Sequence, residues 1–130
     1  MGFVKYTKVG SRIGSPRISI WVSGQIGFNN AAILDHDIKS YKYALVYYDS
    51  DDDRMGITLT NNDEEDGITK LIHRKGGGIS FSARAFLNTY KVDYRKTIQY
   101  KFEYDKENLM FIINPKQKRQ QQEHDEVSSE

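Results

Sequence analysis

The sequence contains one short motif twice. The first copy is GQIGFNNAAIL, residues 24–34, and the second is GGISFSARAFL, residues 77–87. Five of the eleven aligned positions are identical, namely Gly24 with Gly77, Ile26 with Ile79, Phe28 with Phe81, Ala32 with Ala85, and Leu34 with Leu87. A unit of about 45 residues is too small to bury both faces of its own strands. The repeat therefore predicts two related units that share one core.

The order of predicted elements is also repeated. Each unit reads as a strand, a glycine turn, a short strand, a short helix and a hairpin. In the first unit these elements are RISIW (17–21), IGF (26–28), a helix capped by Asn29 or Asn30, YKYALVYYD (41–49) and MGITLT (55–60). In the second unit they are TKLIH (69–73), a glycine turn over 75–78, ISF (79–81), a helix capped by Ser82, IQYKFEYD (98–105) and LMFIIN (109–114). We expect YKYALVYYD to be a central strand because both of its faces are largely apolar.

This order of elements predicts a mainly β fold with two short helices. Nine tyrosines and six phenylalanines agree with it, because aromatic residues suit a pleated surface. We predict a single domain of two tandem strand-helix-hairpin repeats, residues 17–60 and 69–114, that form one intertwined β-barrel with approximate twofold symmetry. Residues 1–16 are expected to be a flexible arm, and the polar residues 115–130 a disordered tail.

Composition excludes several classes of protein. The chain has no cysteine, so a disulfide framework or a thiolate zinc site is ruled out. No apolar run is long enough for a membrane span or a signal peptide, and we expect a cytoplasmic protein without a membrane partner. The acidic stretches lack the spacing of a calcium loop, and no nucleophile has an evident histidine and carboxylate partner. We therefore expect no metal, no cofactor and no enzymatic activity.

Charge is segregated along the chain. Residues 67–101 carry eight lysines and arginines against one acid, Asp93, and residues 1–20 carry four basic residues and no acid. Residues 49–66 hold eight acids and one base, Arg54. Basic segments are typical of proteins whose partners carry phosphate, such as nucleic acids. Ordinary solvated surfaces are also charged, so this pattern has two interpretations.

The two units resemble the AbrB/SpoVT swapped-hairpin family. The matching stretches are SGQIGFNNAAILDHDI with YALVYYDSDDDRMGITL, and KGGGISFSARAFLNTYKV with IQYKFEYDKENLMFIIN. Two copies in one chain are similar to the arrangement in MraZ-type proteins. The resemblance implies a regulator of transcription that binds duplex DNA with basic residues of the first strand and its turn. The positions that carry over are Arg17, Lys70, Arg74 and Lys75, with the second unit dominant, and the helix arginine Arg84 is a fifth candidate from the basic second unit.

Three other interpretations remain open from the residues. Sheet aromatics stack unpaired bases in proteins that bind single-stranded nucleic acids, and here Tyr41, Tyr43, Tyr47, Tyr48, Tyr100 and Tyr104 are candidates, although core packing explains them equally. The second is a protein-interaction module with no nucleic-acid partner; a homo-oligomer is compatible with each of these interpretations. The third is a phosphate-binding loop at residues 75–78, but the sequence lacks GK[ST] there and a hairpin turn is favoured.

Overall fold

The structure is a computed structural model that describes residues 15–115. Most of the predicted arm and all but the first residue of the predicted tail lie outside the described residues, so both predictions stay predictions. The described part is mainly β, with two α-helices and two five-stranded antiparallel sheets. The expected fold class is confirmed at this level.

Within residues 15–115, ten strands and two α-helices follow one another. The strands are β1 (Ile18–Ile20), β2 (Gln25–Phe28), β3 (Tyr43–Asp49), β4 (Arg54–Thr60), β5 (Thr69–Lys70), β6 (Ile72–His73), β7 (Ile79–Ser82), β8 (Ile98–Tyr100), β9 (Glu103–Asp105) and β10 (Met110–Ile113). The helices are α1 (Asn30–His36) and α2 (Arg84–Thr89), and a single 3-10 turn spans Ile38–Ser40. Neither α-helix within residues 15–115 is long and apolar enough to cross a membrane.

The first sheet has the strand order β6-β7-β2-β1-β8, and the second has the order β5-β3-β4-β10-β9. Every neighbouring pair is antiparallel. Strand β3 has a partner on each side, β4 and β5. The prediction of a central strand is therefore confirmed, although the strand begins at Tyr43 rather than Tyr41.

Two strands that were predicted as continuous are each divided between the sheets. Residues 69–73 give β5 to the second sheet and β6 to the first, with the break at Leu71, whose backbone N–H donates to the Lys42 carbonyl at 2.8 Å. Residues 98–105 give β8 to the first sheet and β9 to the second, with the break at Lys101 and Phe102. Neither segment contains a glycine or a proline at its break, so the sequence did not reveal the breaks.

Apolar side chains from both sheets form one core. Ile18, Ile20 and Ile26 of the first sheet are buried in the same cluster as Met55 and Ile57 of the second. The ring of Phe28, in the first sheet, lies 5.2 Å from the ring of Phe111, in the second. Burial of each such side chain contributes about 1.5–3 kcal/mol. The opposite face of each sheet is consequently left for other contacts.

The two helices start differently. Asn29 is the N-cap of α1, and its side-chain oxygen accepts a hydrogen bond from the Ala32 N–H at 3.0 Å, as one of the two predicted alternatives requires. The prediction that Ser82 caps α2 is wrong. Ser82 belongs to β7, and Ala83 occupies the N-cap position without a side-chain bond. Its backbone N–H instead donates to the Gly24 carbonyl at 2.9 Å, a contact between the two units.

Candidate nucleic-acid interface

Two hairpin turns, one in each unit, flank the first sheet. In the first turn, residues 21–25, the Trp21 N–H donates to the Gln25 carbonyl at 2.9 Å. In the second turn, residues 74–78, the Arg74 N–H donates to the Gly78 carbonyl at 2.8 Å. Gly24 and Gly77 adopt φ values of 86° and 104°, which glycine tolerates at no steric cost. The segment KGGG is therefore part of a hairpin turn, as favoured above.

The centre of the first sheet's face turned away from the core is built from small residues. Strand register places Gly27 of β2 opposite Ser19 on one side and Ser80 on the other. The indole of Trp21 covers this strip, because a Cβ atom at Gly27 would lie 2.6 Å from Trp21 Cη2. Ser80 is fully buried beneath its neighbours. We call this surface, with Trp21, Gln25, Gly27 and Ser80, the outer face.

The guanidinium of Arg74 lies on the outer face and is held there by three side chains. Its central carbon is 5.9 Å from the centre of the Trp21 ring, within the range of a cation–π contact. Its Nη2 donates to Gln25 Oε1 at 3.0 Å, and its Nε donates to Ser80 Oγ at 3.4 Å. Because these partners come from both units, the position of this arginine depends on the pairing of β2 with β7.

Two other predicted cations lie near Arg74. Lys75 follows it in the second turn and is exposed. Arg84 is the first residue of α2, and its Cβ lies 3.0 Å from the position that a Cβ at Gly24 would take. Arg74 and Arg84 thus both contact residues 21–25 of the first unit. The structure therefore brings three of the four predicted cations of the second unit, Arg74, Lys75 and Arg84, around the outer face.

The remaining two predicted cations are placed elsewhere. Arg17 lies just before β1, at the end of the strand away from the first turn, and its Nη1 donates to the Pro16 carbonyl at 3.1 Å. Lys70 is exposed on β5, where it pairs with Tyr43 in the second sheet. Lys70 therefore lies outside the strands that carry the outer face.

Sequence reasoning missed Trp21, Gln25 and Ser80 as members of the site, because none of them carries a charge. One signal was present. The alignment of the two motifs, extended backwards from Gly24 and Gly77, places Trp21 at the position equivalent to Arg74. Equivalent positions that lie close to a twofold axis approach one another across it.

Four of the six candidate tyrosines lie in or against the core, and the other two, Tyr43 and Tyr47, lie on the same face of β3. Tyr100 is buried, and Tyr41, Tyr48 and Tyr104 pack against the core. The side chain of Tyr47 is 44% exposed and lies in the second sheet. Core packing thus accounts for most of these rings, which leaves few of them to stack unpaired bases.

The acidic stretch forms the turn between β3 and β4. Arg54 lies 3.2 Å from the Asp49 carboxylate, and its hydrogen bond holds the pKa of Asp49 below the ordinary value. Within residues 15–115, no group of three or more acidic, histidine or cysteine side chains is arranged to hold a metal ion.

An open groove of about 550 Å³ lies beside the first turn. Its lining includes Val22, Leu87, Val92 and the charged Asp93 and Arg95. Arg95 donates to Asp93 through Nε at 3.0 Å and Nη2 at 2.9 Å, so the two charges offset one another. None of the five predicted cations lines this groove.

Comparisons of the chain with protein-family models, with curated proteins and with solved structures found no match. Its function is therefore inferred from its own residues and their geometry.

Proposed function

We propose that this protein binds duplex DNA without catalysing a reaction, as a regulator of transcription does, and that the outer face of the first sheet makes the contact. The observation that carries this proposal is the exposed guanidinium of Arg74, oriented by Trp21, Gln25 and Ser80. Two of its N–H groups are used in these contacts. Arginine has further N–H groups in a fixed planar fork, which suits a bidentate contact with a guanine edge in the major groove.

The neighbouring cations suit the phosphates of the same duplex. Lys75 and Arg84 are exposed beside the outer face, and lysine or arginine contacts with phosphates provide affinity without reading sequence. Arg17, at the far end of β1, extends this set along the same sheet.

The basic N-terminal segment joins the described part beside the second turn. The Ser15 carbonyl accepts from Asn29 Nδ2 at 2.8 Å, and the Oδ1 of the next residue, Asn30, lies 3.1 Å from where a Cβ at Gly77 would be. Residues 1–14 include Lys5, Lys8 and Arg12. Because lysine and arginine suit the phosphates of a duplex, we include this segment in the proposed interface.

We also propose that the two sheets belong to one closed, intertwined barrel. Two segments support closure, because each contributes strands to both sheets: residues 69–73 through β5 and β6, and residues 98–105 through β8 and β9. The strand order then runs around a ring without a free edge, which is how barrels avoid exposed edges. Pairing of β1 with β8, and of β5 with β3, links the first strand of each unit to the hairpin of the other.

Strand register supports approximate twofold symmetry between the units. Gly27 pairs with Ser80 in the first sheet, and Ile57 pairs with Phe111 in the second. Gly27 and Ser80 are aligned in the repeated motif, and Ile57 and Phe111 are each the third residue of the last predicted strand of their unit. Each pair therefore joins equivalent positions, as expected where a twofold axis passes between them.

Aromatic contacts at the helix ends agree with an exchange of hairpins. The ring of His36, at the end of α1, lies 4.5 Å from the ring of Tyr104 in the second unit. The ring of Tyr90, which follows α2, stacks at 4.4 Å on Tyr48 in the first. Each helix therefore ends on the hairpin of the other unit.

We also propose a cytoplasmic location, as expected from the sequence, because a protein that binds duplex DNA must share a compartment with DNA.

Fluorescence anisotropy with labelled duplex and single-stranded oligonucleotides, at two salt concentrations, tests the function. We expect preference for duplex and a steep loss of affinity as salt increases. The double variant Arg74→Ala with Lys75→Ala should bind at least about 10-fold more weakly, because a bidentate contact and a phosphate contact are lost.

Lys39→Ala with Lys106→Ala is the matched control, since it removes the same charge from exposed positions away from the outer face. Circular dichroism establishes that both variants are folded. Equal losses in the two variants would refute the outer face as the interface. An absence of duplex binding at low salt would refute the proposed function, and preference for single strands would replace it with the rival interpretation.

A further inference from the structure

The two turns beside the outer face have the same backbone conformation. The Gly24 N–H donates to the Trp21 carbonyl at 2.8 Å, and the Gly77 N–H donates to the Arg74 carbonyl at 3.0 Å. Each turn glycine also lies against the start of the other unit's helix, Gly24 against Arg84 and Gly77 against Asn30. As scaffolds, the two turns are therefore equivalent.

Their side chains are not equivalent. Where the second turn carries Arg74 and Lys75, the first carries Trp21 and Val22 at the matching positions. Val22 is 57% exposed, so the first turn presents an apolar side chain where the second presents an ammonium group. The difference in charge between the turns is two positive charges on the surface proposed to face DNA.

The contact between the equivalent positions 21 and 74 favours different residues at the two positions. Arg74 lies over the Trp21 ring at 5.9 Å, and a guanidinium over an indole is attracted by the electrons of the ring. Two arginines at these positions would instead bring like charges together, which is unfavourable. A chain in which the two units are covalently joined can hold one residue of each type, whereas a dimer of identical units cannot.

From this we infer that the DNA site of this protein is asymmetric, with one half contacted through Arg74 and Lys75 and the other through Trp21 and Val22. The inference rests on the proposed function. A protein with identical halves binds palindromic sites because the symmetry of the site mirrors its own. Here the cationic half suits guanine edges and phosphates, whereas the apolar half suits thymine methyl groups.

The length of the central strand pair sets the scale of the site. The two turns lie at opposite ends of the antiparallel pair of β2 and β7, each of which has four residues. Four residues of strand span about 13 Å, and the side chain of Arg74 reaches back to Trp21 and Gln25 of the first turn. The two unlike halves of the site are therefore expected to be adjacent within one short element.

Selection from a randomised duplex library with the full-length chain tests the inference. The molar mass in solution is measured alongside to show how many copies of the chain form the binding species. An enriched motif that is not its own reverse complement supports it. A palindromic motif, or duplex binding without any enriched motif, refutes the inference and leaves the proposed function standing. No retention of any duplex at low salt refutes the proposed function itself.

The variant Val22→Lys provides a second measurement at a position that is 57% exposed. It adds the missing charge to the first turn, so the negative slope of log affinity against log salt should become steeper by about 1. The matched control Lys39→Ala should leave the enriched motif unchanged. An unchanged slope in Val22→Lys would show that the first turn does not face DNA, and would overturn the division into two unlike halves.

Discussion

The contact between Gly27 and Trp21 gives a direct test of how the outer face is assembled. A methyl group at Gly27 would lie 2.6 Å from Cη2 and 2.9 Å from Cζ2 of the indole. Ordinary carbon contacts begin at about 3.5 Å, so the variant Gly27→Ala must lift the ring by almost 1 Å. Overpacking of this kind costs about 1–3 kcal/mol. Because Trp21 is partly exposed and has room to move, we expect about 1.5 kcal/mol.

The same substitution should behave differently when the ring is absent. Gly27 does not adopt a positive φ, so alanine fits its backbone. In a Trp21→Ala background, Gly27→Ala should stabilise the protein by about 0.5 kcal/mol, because alanine restricts the unfolded chain. The coupling between the two positions is therefore about 2 kcal/mol.

Urea unfolding followed by circular dichroism measures all four proteins of this double-mutant cycle. Backbone dichroism is needed because Trp21 is the only tryptophan. Gly76→Ala is the control, since no atom lies within 4 Å of a Cβ at that position, and it should not destabilise. If Gly27→Ala were equally destabilising with and without Trp21, the stacked arrangement of the outer face would be wrong.

Three further predictions concern the helices and the core. Burial lowers the pKa of His36 below its ordinary value of 6.5, against a smaller opposing effect of Asp35. The neutral imidazole is therefore favoured in the folded state, so its contribution to stability is full above pH 6.5 and is lost as the pH falls below that value. Urea unfolding measured from about pH 8 to pH 5 should show a smaller loss of stability in His36→Asn than in the unchanged protein. Asn29→Ala should cost about 1–2 kcal/mol in the same assay because it removes the cap of α1, whereas Ser82→Ala should change stability by less than about 0.5 kcal/mol. Phe111→Leu should lower the midpoint of thermal unfolding by at least about 5 °C, because the Phe111 ring contacts four other rings. An unchanged midpoint would show that those ring contacts add nothing to the stability of the fold.

Local patterns predicted the order of elements well. Alternation of apolar residues identified the strands, and glycines at residues 24 and 77 marked both turns, because side-chain direction and turn conformation depend on residues close together in the chain. Asn29 was among the predicted caps for the same reason. The five candidate cations were also chosen from the sequence and the resemblance alone, and three of them lie around one surface.

Other features were decided only by tertiary structure. Residues 69–73 and 98–105 contain no glycine or proline, yet each is divided between two sheets, because pairing with distant strands sets where a strand must bend. Ser82 has the residue type of a cap but is part of β7, which pairs with β2.

The candidate interface likewise depends partly on the sequence and partly on the tertiary structure. The sequence alone determined that the chain has two similar halves with unlike charges. Only the packing of β2 against β7 placed Arg74 over Trp21 and within reach of Gln25. Those residues are far apart along the chain, and no local pattern encodes a contact whose geometry depends on the register between two strands.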